Sequence, residues 1–192
     1  MAEFRHETDR LILRDWREDD WEPFFRHTNT PAVMRWLGGV MNEAGMGTAR
    51  LRLESYRRDH GFTFWVVERK ADGGHLAGAP LGFCGLKRSN LQGGPVGDME
   101  IGWRLREEAW GHGYALEAAQ ACMAIGFEEF TAPHMLALTV EGNAASWGLM
   151  RRLGMRRRAD LDFPNTDFDP ANGTIIVYAI TRAEWAMLRG EA

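Results

Sequence analysis

In Trp110-Gly111-His112-Gly113-Tyr114-Ala115, two glycines lie between a strand-like run and a helix-like run. In that setting backbone N–H groups can approach an anion with no side chain in the way, and the helix N-terminus adds partial positive charge. A diphosphate is the natural ligand of such a turn, although two glycines before a helix are also ordinary turn residues. The commoner nucleotide cradles are absent. A dinucleotide fingerprint needs a third glycine at fixed spacing and an acidic residue after the next strand, and a P-loop needs Gly-Lys-Ser/Thr. The six histidines have no metal-ligand spacing and Cys84 and Cys122 form no zinc pair, so no metal is expected. A second cluster, Asp160-Leu161-Asp162-Phe163-Pro164-Asn165-Thr166-Asp167-Phe168-Asp169, sets four carboxylates beside two phenylalanines. It reads either as a loop that holds a cationic amine or as a solvated acidic connection.

The elements that must position these residues follow from periodicity. Arg10 to Arg14 suits a first strand, followed by an apolar-periodic helix around Trp21 to His27 and a short helix from Pro31 through Trp36. A further helix, beginning at Asn42 or Thr48, is stopped by Gly61. The aromatic and β-branched run Phe62 to Arg69 and the runs Leu81 to Leu86 and Met99 to Leu105 are separated by glycine-rich turns, so they read as three antiparallel strands. They feed a helix from about Gly113 to Phe130. Short hairpins instead of crossovers argue against a doubly wound nucleotide fold. Met135 to Val140 suits a strand inside the sheet, followed by a helix from Asn143 to Leu153. Met155 to Arg158 and Thr174 to Ile180 suit strands around the acidic loop, and a last helix starts at Thr181 or Arg182 and ends near Arg189. Gly102, inside the Met99 to Leu105 strand, marks a bulge, a close backbone approach or a plain twist point.

The 192 residues, 45% hydrophobic and 26% charged, fit a single domain spanning residues 1–192. A net charge of -4 gives no global attraction to nucleic acid or anionic membrane, and neither is expected as a partner. The N-terminal residues lack an apolar signal core, and no window approaches the roughly 18 apolar residues of a membrane span. Two cysteines among small or apolar neighbours read as buried reduced thiols, which places the protein in the cytoplasm. A homodimer is the commonest symmetric assembly, and nothing in the sequence decides it.

Several motifs occur together in order: Thr8-Asp9-Arg10-Leu11-Ile12-Leu13-Arg14, Leu81-Gly82-Phe83-Cys84-Gly85-Leu86, Glu100-Ile101-Gly102-Trp103, the glycine turn followed by Glu117-Ala118, Asn143-Ala144-Ala145-Ser146 leading into Leu153-Gly154-Met155, and Tyr178-Ala179-Ile180-Thr181 with Trp185. In this the chain resembles the GNAT superfamily of acyl-CoA N-acyltransferases, and within it the RimJ/RimL-like branch, over nearly its whole length. The resemblance implies an α/β (α+β) fold, with a mixed central sheet of about seven strands flanked by helices, and transfer of an acetyl group from acetyl-CoA to a primary amine in a ternary complex. An acyl-CoA-binding sensor or assembly module with little catalysis, or an enzyme using a longer acyl-CoA, are the competing readings.

The resemblance also implies roles. The pantetheine arm would lie along Ile101, Trp103, Arg104 and Leu105, and the pyrophosphate on Trp110, Gly111, His112, Gly113, Tyr114 and Ala115. The family motif often has Gln or Arg three residues before the first glycine, where this chain has Glu108. Glu100 occupies the position of an acidic base that takes a proton from the amine, with Asp98 in reserve. Many superfamily members place a tyrosine seven residues after the asparagine to protonate the leaving thiolate, but Met150 stands there. Ser146, three residues after Asn143, is therefore the candidate acid, and Asn143 the candidate CoA ligand or a helix cap. Of Arg151, Arg152, Arg156, Arg157 and Arg158, one could meet the 3′-phosphate of CoA or an RNA, while solvated helix and strand faces account for most of them. Trp36, Trp65 and Trp103 read as core or pocket wall.

Overall fold

The computed structural model describes residues 3–166 and 170–190. Strands β1 (Arg5–Glu7) and β2 (Leu11–Arg14) are followed by helices α1 (Trp21–Thr28), α2 (Pro31–Met34) and α3 (Glu43–His60). Next come β3 (Phe64–Arg69), β4 (Pro80–Arg88) and β5 (Met99–Leu105), then α4 (Tyr114–Glu128), β6 (His134–Val140) and α5 (Ala144–Arg152). The chain closes with β7 (Arg156–Arg157), β8 (Phe163–Pro164), β9 (Thr174–Thr181) and α6 (Arg182–Leu188).

All nine strands among the described residues join one mixed sheet in the order β1-β2-β3-β4-β5-β6-β9-β7, with β8 also on β9. The first five are antiparallel neighbours, β6 runs parallel to β5, and β9 returns antiparallel to β6. This is two strands more than expected. The additions, β1 and β8, are three and two residues long. Neither has room for an apolar alternation, and each exists because a neighbouring strand offers an edge. The Met155 to Arg158 strand contracts to Arg156–Arg157. The helix expected through Trp36 ends at Met34, before the left-handed Gly38 and Gly39.

Helix α4 packs across β2, β4, β5 and β6. Ala118, Ala119 and Cys122 on α4 are fully buried, and such small side chains let the helix backbone lie close to the sheet. Ile125 and Phe127 complete the buried stripe against Leu11, Leu13, Trp65, Leu81 and Leu86. Burying each large apolar side chain contributes about 1.5–3 kcal/mol. Cys84 and Cys122 are unpaired thiols in this core. A second, aromatic cluster of Trp21, Phe24 and Leu53 fixes α1 and α3 on the opposite face, where Phe64 and Phe83 of the sheet meet it. Helix starts fall on polar caps. Asn42 Oδ1 accepts from Gly45 N at 2.9 Å, and Thr181 and Glu184 form a reciprocal capping box. No helix is long and apolar enough to cross a membrane among the described residues.

Candidate active site

β5 and β6 separate almost as soon as they meet, since their only registered pair is Glu100 with Leu136. From Ile101 to Leu105 the edge of β5 facing away from β4 therefore has no ladder partner. A cleft of about 1420 Å³ opens at this gap. Glu100, Ile101, Trp103, Arg104, Leu105, Trp110, Gly111, His112, Gly113, Ala115, Asn143 and Ser146 all line it. Of the sequence-predicted residues, Tyr114 does not. Its side chain is buried under α4, with its hydroxyl donating to His75 O at 3.1 Å and accepting from Arg69 Nε at 3.3 Å. As the first residue of α4, Tyr114 keeps only its backbone at the turn, while helical phase sends the ring to the core.

The turn is built as its residue types require. Gly111 and Gly113 have φ of 77° and 79°, the left-handed region that glycine enters without strain. Gly113 caps α4 and has no side chain, so the first-turn N–H groups, which lack intrahelical acceptors, stay uncovered. A clamp missed in the sequence holds this turn. Glu117 Oε1 accepts from Thr8 Oγ1 at 2.6 Å and Arg10 N at 2.8 Å, and Oε2 from Arg10 Nε at 2.7 Å. Arg10 Nη1 also donates to His112 O at 3.0 Å. Burial pushes the Glu117 carboxyl up, but the hydrogen bonds from Thr8 and Arg10 outweigh it and hold the group below its ordinary value. The motif positions Thr8, Arg10 and Glu117 are thus one contact, 107 residues apart in sequence between Arg10 and Glu117.

Glu100 is buried, with Lys87 Nζ 3.2 Å from Oε2. Burial raises its pKa above the ordinary glutamate value, against the opposing pull of Lys87. A carboxylate so placed is a better proton acceptor near neutral pH than a solvated one. Asp98 pairs with His134 Nε2 at 3.0 Å and does not line the cleft. Across the gap, Asn143 Oδ1 accepts from Ser146 N at 3.3 Å, which is the helix cap. Both residues are half-buried and reach the cleft. Met150 lines it too, whereas none of the three tyrosines does. At Gly102 the ladder with β4 is regular, so there is no bulge, but an added Cβ would meet the Phe64 ring at 2.9 Å. Close approach is the reason for that glycine.

The far wall comes from a region where the sequence singled out only Trp36: Met34, Arg35 and Trp36 at the end of α2, and Arg52 and Leu53 of α3, facing Phe64 and Phe83. No described residue of the acidic loop lines the cleft. Asp160 pairs with Arg158 and Asp162 with Arg157, Phe163 packs into a small core with Leu136, Val140, Ile175 and Val177, and Asp167 to Asp169 lie outside the described residues. Those ion pairs also use up two of the five clustered arginines, and Arg156 lies 3.7 Å from Glu184. Arg152 is the member that reaches the cleft. Trp36 and Trp103 form pocket wall, and Trp65 is core.

A mixed sheet that splays beside a glycine-capped helix defines an acyltransferase architecture, and comparison with known proteins identifies the family. The profile of the acetyltransferase (GNAT) domain matches residues 10–156. The Bacillus subtilis protein YkkB is 32% identical over 149 residues, covering 77% of this chain and 83% of the relative. The uncharacterized N-acetyltransferase YnaD of the same organism is 29% identical over 153 residues, 78% and 81% of the two chains. Among solved structures, an Agrobacterium tumefaciens acetyltransferase superposes with a TM-score of 0.75 at 22% identity, covering 94% and 95%. A ribosomal-protein-S5-alanine acetyltransferase from Vibrio fischeri gives 0.72 at 14% identity, covering 95% and 98%. The chain belongs to the GNAT acetyltransferase family and is an acyltransferase.

Proposed function

We propose that the chain is an acetyl-CoA-dependent N-acetyltransferase of the RimJ/RimL-like branch, which acetylates a primary amine by direct attack in a ternary complex. The observation that carries the reading is the unpaired edge of β5, bracketed by the glycine turn on one side and by buried Glu100 on the other. The residues fit the donor. Backbone groups of Ile101 to Leu105 are free to pair with its amide-bearing arm, the N–H groups opening α4 suit its pyrophosphate, and Arg152 suits a peripheral phosphate. When bound, acetyl-CoA supplies an activated acyl group as a thioester.

The chain's own residues move the protons. A primary amine is largely protonated at neutral pH, so a base must remove a proton before or during attack. Glu100 performs this, directly or through one water. As the amine nitrogen–carbon bond forms and the carbon–sulfur bond breaks, Ser146 Oγ–H returns a proton at the sulfur and recovers one from solvent. The branch assignment is supported by the Asn143 and Ser146 pair on the cleft wall, together with Met150 in place of a tyrosine. The cytoplasm remains the proposed location.

The test is thiol release from acetyl-CoA across a panel of amines, repeated with Glu100→Gln and Ser146→Ala. Glu100→Gln is expected to lower kcat/KM by about 10²–10⁴ and to erase the acidic limb of the pH–rate profile. Tight CoA binding without turnover on any amine would instead mark a binding module, and faster turnover with a longer acyl-CoA would change the donor.

A further inference from the structure

Three arginines are almost wholly buried, and their surroundings differ. Arg14, 4% exposed, holds Asp20 through both terminal nitrogens at 2.7 and 2.8 Å, and Glu68 through Nε at 2.7 Å. Arg69, 5% exposed, holds Asp72 at 2.8 Å and the carbonyls of Arg10 and Lys70. Arg104, 9% exposed, meets no carboxylate among the described residues. Its Nη1 lies 3.1 Å from the sulfur of Met34, a weak acceptor, and its buried Nε has no partner. The rings of Phe24 and Phe83 lie 4.7 and 5.1 Å from the guanidinium carbon. They orient the fork and soften the desolvation without supplying an anion.

A buried charge with no counter-ion is costly. Burial alone pulls the Arg104 pKa down to about 10, so the group is still a cation at neutral pH. Its placement gives that charge an address. Strand alternation puts Glu100, Gly102 and Arg104 on one face of β5, opposite Ile101 and Leu105, which join the core shared with α4. Arg104 is also on the wall of the cleft, with Met34, Phe64 and Phe83 around it. Its backbone stands about 13 Å from that of Glu100 along the strand, which leaves space between the two side chains for a small molecule. The cleft as a whole is basic. Arg35, Arg52, Lys87, Arg104 and Arg152 line it, against Glu100 as the only carboxylate of the lining among the described residues. Low-dielectric walls with one sign of charge attract anions.

We infer that Arg104 is the anchor for a carboxylate on the acceptor, so that the amine acetylated is a free amino carboxylate with an apolar side chain. The planar fork matches a carboxylate through two parallel hydrogen bonds, which an ammonium cannot do. Phe64, Phe83 and Met34 supply the apolar contact. The amine end then faces Glu100, and a polyamine or other purely cationic acceptor meets the wrong sign of field. This rests on the proposed N-acetyltransferase reading for its chemistry, but not for the binding site itself.

Two measurements test it. The first is kcat/KM by thiol release for L-phenylalanine and L-methionine against 2-phenylethylamine and 3-(methylthio)propylamine, compared at equal free-amine concentration. The amino carboxylates are expected to be preferred by about tenfold to a hundredfold, the worth of hydrogen bonds to a charged group. Arg104→Met should abolish the preference through the KM for the amino carboxylate, and Arg104→Lys should keep part of it. The second, which needs no turnover, is calorimetric titration with N-acetyl-L-phenylalanine, whose affinity should fall at least about tenfold in Arg104→Met. A protein that acetylates nothing yet binds this probe through Arg104 refutes the enzyme reading and sustains the site. Equal use of the amines lacking a carboxylate, or probe binding indifferent to Arg104, overturns the inference. The unliganded Arg104→Met variant should melt no lower than the parent, because an unpaired buried charge has been removed. A lower melting temperature with unchanged selectivity would make Arg104 a packing residue and also overturn it.

Discussion

Glu100 and Arg104 are held out of water on one strand, Glu100 beside Lys87 at 3.2 Å and Arg104 with no carboxylate among the described residues. For Glu100 the consequence is linked to pH. Its folded-state pKa lies above the unfolded value, so the protonated form carries no penalty, and the cost of burial appears as pH rises through the folded pKa. Glu100→Gln, neutral at every pH, should therefore be more stable than the parent above that pKa and equal to it below about pH 4.3. Melting temperatures of both proteins from pH 4 to 8 would check this independently of catalysis. A variant that is less stable throughout would mean that the ion pair with Lys87 outweighs the burial. The carboxylate was legible in the sequence because its strand was. The isolation of Arg104 was not, since no pattern in one strand reveals that no acid among the described residues reaches it.

Helix α4 shows how much an element's start decides. Its opening turn projects bare N–H groups because Gly113 has no side chain to fold back, and Glu117 ties the helix to the entry of β2 through Thr8 and Arg10. Glu117→Ala would leave these donors without their acceptor and should cost about 2 kcal/mol, read as a shift of the urea midpoint. The folded pKa of Glu117 is lowered, so its stabilisation is present above the unfolded value and is lost as pH falls through the folded one. The difference between parent and variant should therefore shrink below about pH 4. CoA affinity should fall in the same variant, because the turn is released at His112 O as well. The helix start at Asn143 was readable from cap chemistry, those at Asn42 and Thr181 only as one of two choices each, and β3 to β5 from their apolar runs. β1 and β8 were not, because strands of three and two residues are imposed by the edges of β2 and β9 and carry no pattern of their own. The cleft wall after α2 was mostly unreadable for the same kind of reason. Trp36 was the one member read as core or pocket wall, while Met34, Arg35 and Arg52 join the wall only when the sheet brings Phe64 and Phe83 opposite them.

The molecule as a whole is a sheet with a partial break. β1 to β5 form one continuous antiparallel body, β6 to β9 another, and between them the ladder consists of a single registered pair, Glu100 with Leu136. Beneath the break, α4 contacts strands of both bodies and packs its buried stripe into the core they share. A ligand that pairs with Ile101 to Leu105 would complete the missing ladder and bind the folded state alone, since the unfolded chain has no such edge. CoA at about 100 times its Kd should then stabilise by about 2.7 kcal/mol. For a chain of this size that corresponds to a rise in melting temperature of about 5–10 °C. Hydrogen exchange locates the effect: amides of Ile101 to Leu105 and of the first turn of α4 should gain protection on CoA addition, while β1, remote from the break, should change little. Stabilisation with uniform protection, or protection confined to β8 and β9, would place the donor elsewhere. Raising ionic strength should weaken CoA binding even though the protein carries a net charge of -4, because the cations of the cleft govern the encounter more than the overall charge does.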